Sequence, residues 1–338
     1  MVGGDLVKNI LTIFLILFLF QVARAVAQEN YVAKYSAAMD LVNAGKPDQA
    51  VPLFKEVKAE NANYKYVDVM LGVALDQKGD YAGASKSILG YLNDPQNASV
   101  EPRKYSMAIE YYMRVQSKLN NCQEIHDYLQ KLSSFPVTQF DGQLERAQVL
   151  VEVAGNTHCA AADRQAVVGE AIAILKSAQS SSEKTLWFNN TYGRAIVIQQ
   201  SFIDADKDSQ IKALQDAHQF FANEIAVNKC SVVYANLGIV SRLIGEDYKF
   251  LFWQEMNKKT RDKSLLSQYA NGGVKYFRAG LDELALAKPL SDYKAHSAKI
   301  SKLKAINQAF LRDFRGDKNV SVYLTRPASE PAVKPVKP

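Results

Sequence analysis

Beyond Tyr31 the apolar residues recur three and four positions apart, the period of one helix face, in segments divided by short polar breaks. Tyr105–Gln116 and Cys122–Leu132 flank Asn120-Asn121. Gln143–Val153 and Asp163–Ala178 flank Gly155-Asn156. Leu186–Phe202 pairs with Ser209–Ala226, Val232–Ile244 with Tyr248–Lys258, and Leu265–Arg278 with Leu281–Ala287. Gly245 and Gly272-Gly273 then read as helix ends or bends, since glycine weakens a helix interior. Ser291–Phe314 is a longer segment. It sets Ile300, Leu303, Ile306, Phe310 and Phe314 on one face and Lys294, Lys299, Lys302 and Lys304 on the other. Residues 94–102, with Pro95 and Pro102, read as an inserted linker, and Asn319–Thr325 alternates Val320, Val322 and Leu324 as a strand does.

The segment before residue 94 repeats. Ala38 and Gly72, Leu41 and Leu75, Gly45 and Gly79, Ala50 and Ala84, and Phe54 and Ile88 are each 34 positions apart. Small residues let two helices approach, glycine ends the first helix in a left-handed conformation, and the large apolar residues fill the groove between hairpins. On these residues the chain resembles the tetratricopeptide repeat (TPR) family, whose unit is a 34-residue helix-turn-helix. The family's Trp position holds Lys34 and Asp68 instead, and its terminal Pro is missing from both copies.

The resemblance implies an all-α fold, an α-solenoid of about six stacked hairpins with a C-terminal capping helix. The expected layout is clear repeats over 31–94, degenerate hairpins over 103–290 and a cap over 291–315, with a division near 180–185 as an option. It also implies that the first helix of each hairpin lines a groove for a protein or peptide. Carrying the family's groove positions over gives Tyr35, Met39 and Val42 from the first copy and Val69, Val73 and Asp76 from the second; Tyr111 and Tyr112 extend the set. The family's carboxylate clamp needs Lys and Asn where Tyr35, Met39, Val69 and Val73 stand, so an apolar and aromatic groove is expected in its place.

Composition supports helices: Gly and Pro number only 17 and 10 in 338 residues, few breakers for a many-turned β fold. It also changes the picture at both ends. Lys8 precedes an apolar run, Ile10–Phe20, and Ala25-Val26-Ala27 fits a small-x-small cleavage site. Residues 1–27 are therefore expected to be a cleaved signal peptide. The mature protein is then exported, to the periplasm of a Gram-negative bacterium in the reading adopted; retention of the run as a membrane tether is the alternative. In a eukaryotic host the sequons at Asn97, Asn189 and Asn319 become glycan candidates. Residues 288–338 hold eleven Lys or Arg against four acids, whereas 28–287 are slightly acidic. This basic end is a candidate contact for an anionic surface; nucleic acid is a poor partner for an exported chain. The tail from 316 ends in four prolines over 326–338 and is expected to pack no core.

Chemistry is sparse. The chain carries no Gly-x-Ser-x-Gly, His-Glu-x-x-His or phosphate-loop motif. Asp204, Asp206 and Asp208 alternate as in a calcium loop, but Ser209 and Gln215 stand where Gly and Glu are required, leaving a turn and an N-cap. Glu145, Glu152 and Glu170 show no convergent pattern. Cys122 and Cys159 stand 37 positions apart at equivalent hairpin edges. Three readings stay open for them: a disulfide, two reduced core residues, or a zinc or copper site with His126 and His158. Cys230 reads as a small buried residue. No cofactor and no catalysis are expected, and an enzyme built on the helical scaffold is the remaining alternative.

Overall fold

The computed structural model describes residues 31–61, 64–135, 140–179, 187–203 and 205–324. All regular structure among them is helical. Residues 1–27, expected to be a signal peptide, the 180–185 stretch, Asp204 and the proline tail lie outside the described residues.

The chain groups into two compact units, and the division falls between Pro136 and Val137, not near 180–185. The first unit takes residues up to 136 with His158–Ala160; the second takes 137–157 and everything from Ala161. In the first unit α1 (residues 31–43) pairs with α2 (Pro47–Glu60). Next, α3 (Val67–Lys78) pairs with α4 (Tyr81–Leu92). The short α5 (Pro95–Val100) follows, then α6 (Pro102–Lys118) paired with α7 (Cys122–Ser133). The presumed linker at 94–102 is thus largely helical. Asp94 accepts the Gln96 amide at 3.1 Å, and Pro95 and Pro102 each open a helix at a position with no donor to lose.

The 34-residue repeat appears as repeated geometry. Gly45 and Gly79 both adopt positive φ, +67° and +88°. At each, the glycine N–H and the next N–H reach back to carbonyls of the last turn: Gly45 to Val42 and Lys46 to Leu41, Gly79 to Asp76 and Asp80 to Leu75. Ala38, Ala50, Ala84, Phe54 and Ile88 are all fully buried. A Cβ on Gly72 would collide with Ile88, so this glycine sets how closely α3 and α4 approach.

In the second unit α8 (Phe140–Ala154) pairs with α9 (Ala161–Ala178) and α10 (Phe188–Gln200) with α11 (Lys207–Val227). The long helices α12 (Ser231–Met256) and α13 (Lys263–Leu286) form the largest contact. Then come α14 (Tyr293–Gly316) and the four-residue α15 (Lys318–Ser321). Gly245, Gly272 and Gly273 break nothing: each lies inside a continuous helix. The four segments expected there are two helices, because these glycines serve packing. Gly238 and Gly245 on α12 receive Leu284 and Phe277 of α13. Gly273 and Gly280 on α13 receive Phe314 and Asn307 of α14.

Where helix ends are buried, carboxylates from other elements satisfy their amides. Fully buried Glu224 accepts from Trp187 N at 2.7 Å and Asn190 N at 3.2 Å, at the start of α10. Asp292 accepts from Ser231 N and Oγ, both at 2.8 Å, at the start of α12. Glu255 accepts from Asp262 N at 2.8 Å, ahead of α13. The strand expected over 319–325 is instead α15 and a turn. Val320, Tyr323 and Leu324 pack on the core at helical spacing, while Val322 is 74% exposed. The alternation was a coincidence of two hydrophobic positions with one solvent-facing valine. Asn189 is buried, which removes it as a glycan acceptor.

Cys122 and Cys159 form a disulfide, with Cα atoms 5.3 Å apart. No thiolate remains for a metal site with His126 and His158, and no cluster of metal-ligating side chains occurs among the described residues. Cys230 is free and half-buried, and burial pushes its thiol up.

Two stability experiments follow from these contacts. Gly169 lies in α9 with open space where a Cβ would stand, whereas a Cβ on Gly238 would lie 2.5 Å from Leu284 Cγ and 3.1 Å from the Gly280 carbonyl. In urea titrations Gly169→Ala is expected to stabilise by about 0.5–1 kcal/mol. Gly238→Ala is expected to lose about 1–2 kcal/mol, overpacking outweighing helix propensity. Equal shifts in one direction would contradict the packing role. Reducing the disulfide is expected to remove roughly 3–4 kcal/mol. Cys122→Ser should match the reduced protein and lose its response to reductant, while Cys230→Ser should keep that response.

Candidate partner-binding face

The first helices of the first unit, α1, α3 and α6, carry the residues expected to line a groove. Five of the eight keep exposed surface: Tyr35, Met39, Val73, Asp76 and Tyr111. Val42, Val69 and Tyr112 do not, and they are corrected to core. Helical geometry turns Val42 and Val69 inward, toward the neighbouring helices. Tyr112 packs against Tyr128 of α7, the tilted rings 4.6 Å apart, and donates its hydroxyl to Glu124 at 3.2 Å. Burial, with the Glu124 charge added, pushes that phenol up to about 12.

Tyr35 is the centre of the exposed set. Its ring meets Phe54 edge-on at 5.7 Å and Tyr64 at 5.1 Å, and its hydroxyl is hydrogen-bonded to that of Tyr64. Burial is the main cause holding its phenol well above the usual range; Tyr64, Tyr66 and Tyr111 add to it. The turn before α3 contributes half-exposed Tyr64 beside Tyr35 and buries Tyr66 in the core. Sequence reasoning missed Tyr64 and Tyr66 because they precede the helix and fall outside the repeat's groove positions. Their signal was local: Tyr64-x-Tyr66 directly ahead of an apolar helix start.

A second aromatic series runs from Tyr66 to Tyr91 at 5.6 Å, Tyr105 at 6.3 Å and Phe135 at 5.4 Å. Lys104 stands over the Tyr66 ring at 5.3 Å. Asp76 is not a free charge: both carboxylate oxygens accept from Lys118 Nζ at 2.8 Å, joining α3 to α6. The face thus offers phenol rings, hydroxyls, a thioether and an aliphatic side chain, with its acid neutralised. Such a surface suits apolar side chains and backbone amides better than a charged terminus.

Other polar groups resolve into structural roles. Asp206 N-caps α11, accepting from Ser209 N at 2.9 Å and Oγ at 2.7 Å; these bonds hold its carboxyl below the usual range. Burial raises the Glu170 carboxyl, and the Arg146 charge opposes that shift. His218, Ser241 and Glu283 meet, but both His218 and Ser241 bond to the carboxylate, at 2.7 Å each. A nucleophile needs its base on the hydroxyl; here the carboxylate ties α11, α12 and α13 together.

No protein-family model matches the chain, and no curated protein matches it either. Among solved structures it is similar to the crystal structure of the C-terminal part of a TPR repeat-containing protein from Cytophaga hutchinsonii. That likeness has 14% identity and a TM-score of 0.40, and it covers 86% of this chain and all of the other.

Proposed function

We propose that the protein is an exported, non-enzymatic scaffold of the TPR type that holds a peptide segment of a protein partner on the α1–α3–α6 face. The observation that carries this reading is the half-exposed set of Tyr35, Met39, Val73 and Tyr111 on the first helices α1, α3 and α6, with Tyr64 of the turn before α3 packed edge-on against Tyr35. Rigid aromatic side chains supply large contact area at small entropic cost, which is why they dominate the energetics of interfaces. The occupant is a helix or extended segment presenting apolar side chains, with its backbone placed for hydrogen bonds to the tyrosine hydroxyls.

The apolar run after Lys8 and the Cys122–Cys159 bond support an oxidising compartment outside the cytosol. The periplasm, with a role in envelope assembly, secretion or wall machinery, is the setting this reading adopts. No helix among the described residues is long and apolar enough to cross a membrane. Retention of Ile10–Phe20 as a tether is the second reading, and sequencing the mature N-terminus separates the two: Gln28 for cleavage, an N-terminus upstream of the run for the tether.

The binding face is tested with a photo-crosslinking residue at Val73 in the exported protein, followed by identification of the linked peptide. That peptide, made synthetically, should bind the unmodified protein, and Tyr111→Ala should weaken it by about thirtyfold, the effect of an interface hot spot. Unchanged affinity in Tyr111→Ala, with the fold intact by circular dichroism, would remove this face from the proposal.

A further inference from the structure

The last long helix presents two unlike faces. Ile300, Asn307 and Phe314 of α14 are buried against α12 and α13, and Asn307 Nδ2 donates to the Gly238 carbonyl at 3.3 Å. Helical periodicity then turns Lys294, Lys302, Arg312 and Arg315 to the solvent side, with Lys304 at its edge. The helix carries six Lys or Arg and a single acid, Asp313. Arg312 takes that acid at 3.0 Å. Lys294, Lys302, Lys304 and Arg315 have no side-chain hydrogen bond or ion pair among the described residues.

Several lysines elsewhere are paired, although Lys46, Lys212 and Lys259, exposed on other elements, are not. Lys58 pairs with Asp68, Lys118 with Asp76, Lys207 with Asp247 and Lys258 with Glu255. What sets α14 apart is that its unpaired cations share one helix face and no acid of the described residues neutralises them, which makes negative charge their complement. From Lys294 to Arg315 the strip is about 32 Å long at the rise of an α-helix. It is convex, so its side chains diverge and cannot converge on one small anion. Toward its end Arg312 and Arg315 rim a shallow open cleft lined by Leu281, Gln308, Leu311 and Gly316. Diverging cations on flexible stems, beside a small apolar cleft, match a plane of anionic headgroups with hydrocarbon beneath it. An acidic protein would need an apolar ridge for packing, and the strip offers only that one cleft.

We propose that the solvent face of α14, formed by Lys294, Lys302, Lys304, Arg312 and Arg315, docks the protein on an anionic phospholipid surface. This site is independent of the peptide-binding face. Binding is electrostatic and peripheral, and each charge removed weakens it about fivefold.

The test is co-sedimentation of the full chain with phosphatidylcholine vesicles, with and without phosphatidylglycerol at one part in three. Binding is expected only with the anionic lipid, falling as salt rises. The variant K294E/K302E/R312E should lose at least a hundredfold. The variant K46E/K212E/K259E changes the net charge equally at exposed lysines elsewhere and should bind as the parent does. All share one N-terminus, so the apolar run contributes equally. Thermal melts confirm that each variant folds. Tyr111→Ala should leave vesicle binding untouched, which keeps the two proposals separable. The lipid proposal is overturned by any of three results: no preference for anionic vesicles, equal loss in both triple variants, or binding to polyglutamate without binding to vesicles. The last of these would assign the face to an acidic protein.

Discussion

Helices in this protein approach one another where side chains are missing. Gly238 and Gly245 on α12, and Gly273 and Gly280 on α13, stand seven residues apart on their helices, two turns, and so share a face. Into those gaps go Leu284, Phe277, Phe314 and Asn307. The rest of the second unit depends on this closeness. It lets Phe252, Phe277 and Phe314 meet edge-to-face or nearly so, with Phe252 and Phe277 each about 6 Å from Phe314. It also buries helix ends that would otherwise be solvated. An amide removed from water without a partner costs about 1–3 kcal/mol, and Glu224, Asp292 and Glu255 meet that demand from outside the helices they serve.

The first unit shows how much of this was legible. Its glycines at 45 and 79, its alanines at 50 and 84, and the apolar pair Phe54 and Ile88 occupy equivalent places in two hairpins, and their spacing alone located them. The second unit was harder because the same residue type carries opposite meanings. Gly79 ends a helix, whereas Gly245 lies in the middle of one. Nothing local distinguishes them; the difference lies in whether a large side chain from a neighbouring helix, here Phe277, requires the space. Cross-element caps are invisible for the same reason. Asp292 and Ser231 are 61 positions apart, and only the fold brings them together.

The candidate binding face was half legible. Helical position placed Tyr35, Met39, Val73 and Tyr111 among the half-exposed residues, but a fraction of a turn of rotation decides between surface and core, and Val42, Val69 and Tyr112 fell on the core side. Tyr64 and Tyr66 were missed because turns have no period to read. The Tyr35–Tyr64 ring contact was beyond sequence altogether, since it joins α1 to the turn before α3. Asp76 illustrates a further gap: its position was found, but its neutralisation by Lys118 is a tertiary fact that reverses its meaning for a ligand.

Charge distribution follows from the same architecture. In the second unit several acids are committed to internal work. Glu224, Asp292 and Glu255 cap helix ends, Glu283 ties three helices, and Asp247 holds Lys207. An acid spent on a buried amide or a neighbouring lysine cannot also neutralise α14. That helix contributes one face to packing, and among the described residues nothing covers the other. The core constrains Ile300, Asn307 and Phe314 to their sizes, while Lys294, Lys302 and Arg315 are exposed. A concentration of unpaired cations at such a place adds repulsion and no packing. The proposed contact with an anionic surface would supply the negative charge that the described residues lack there.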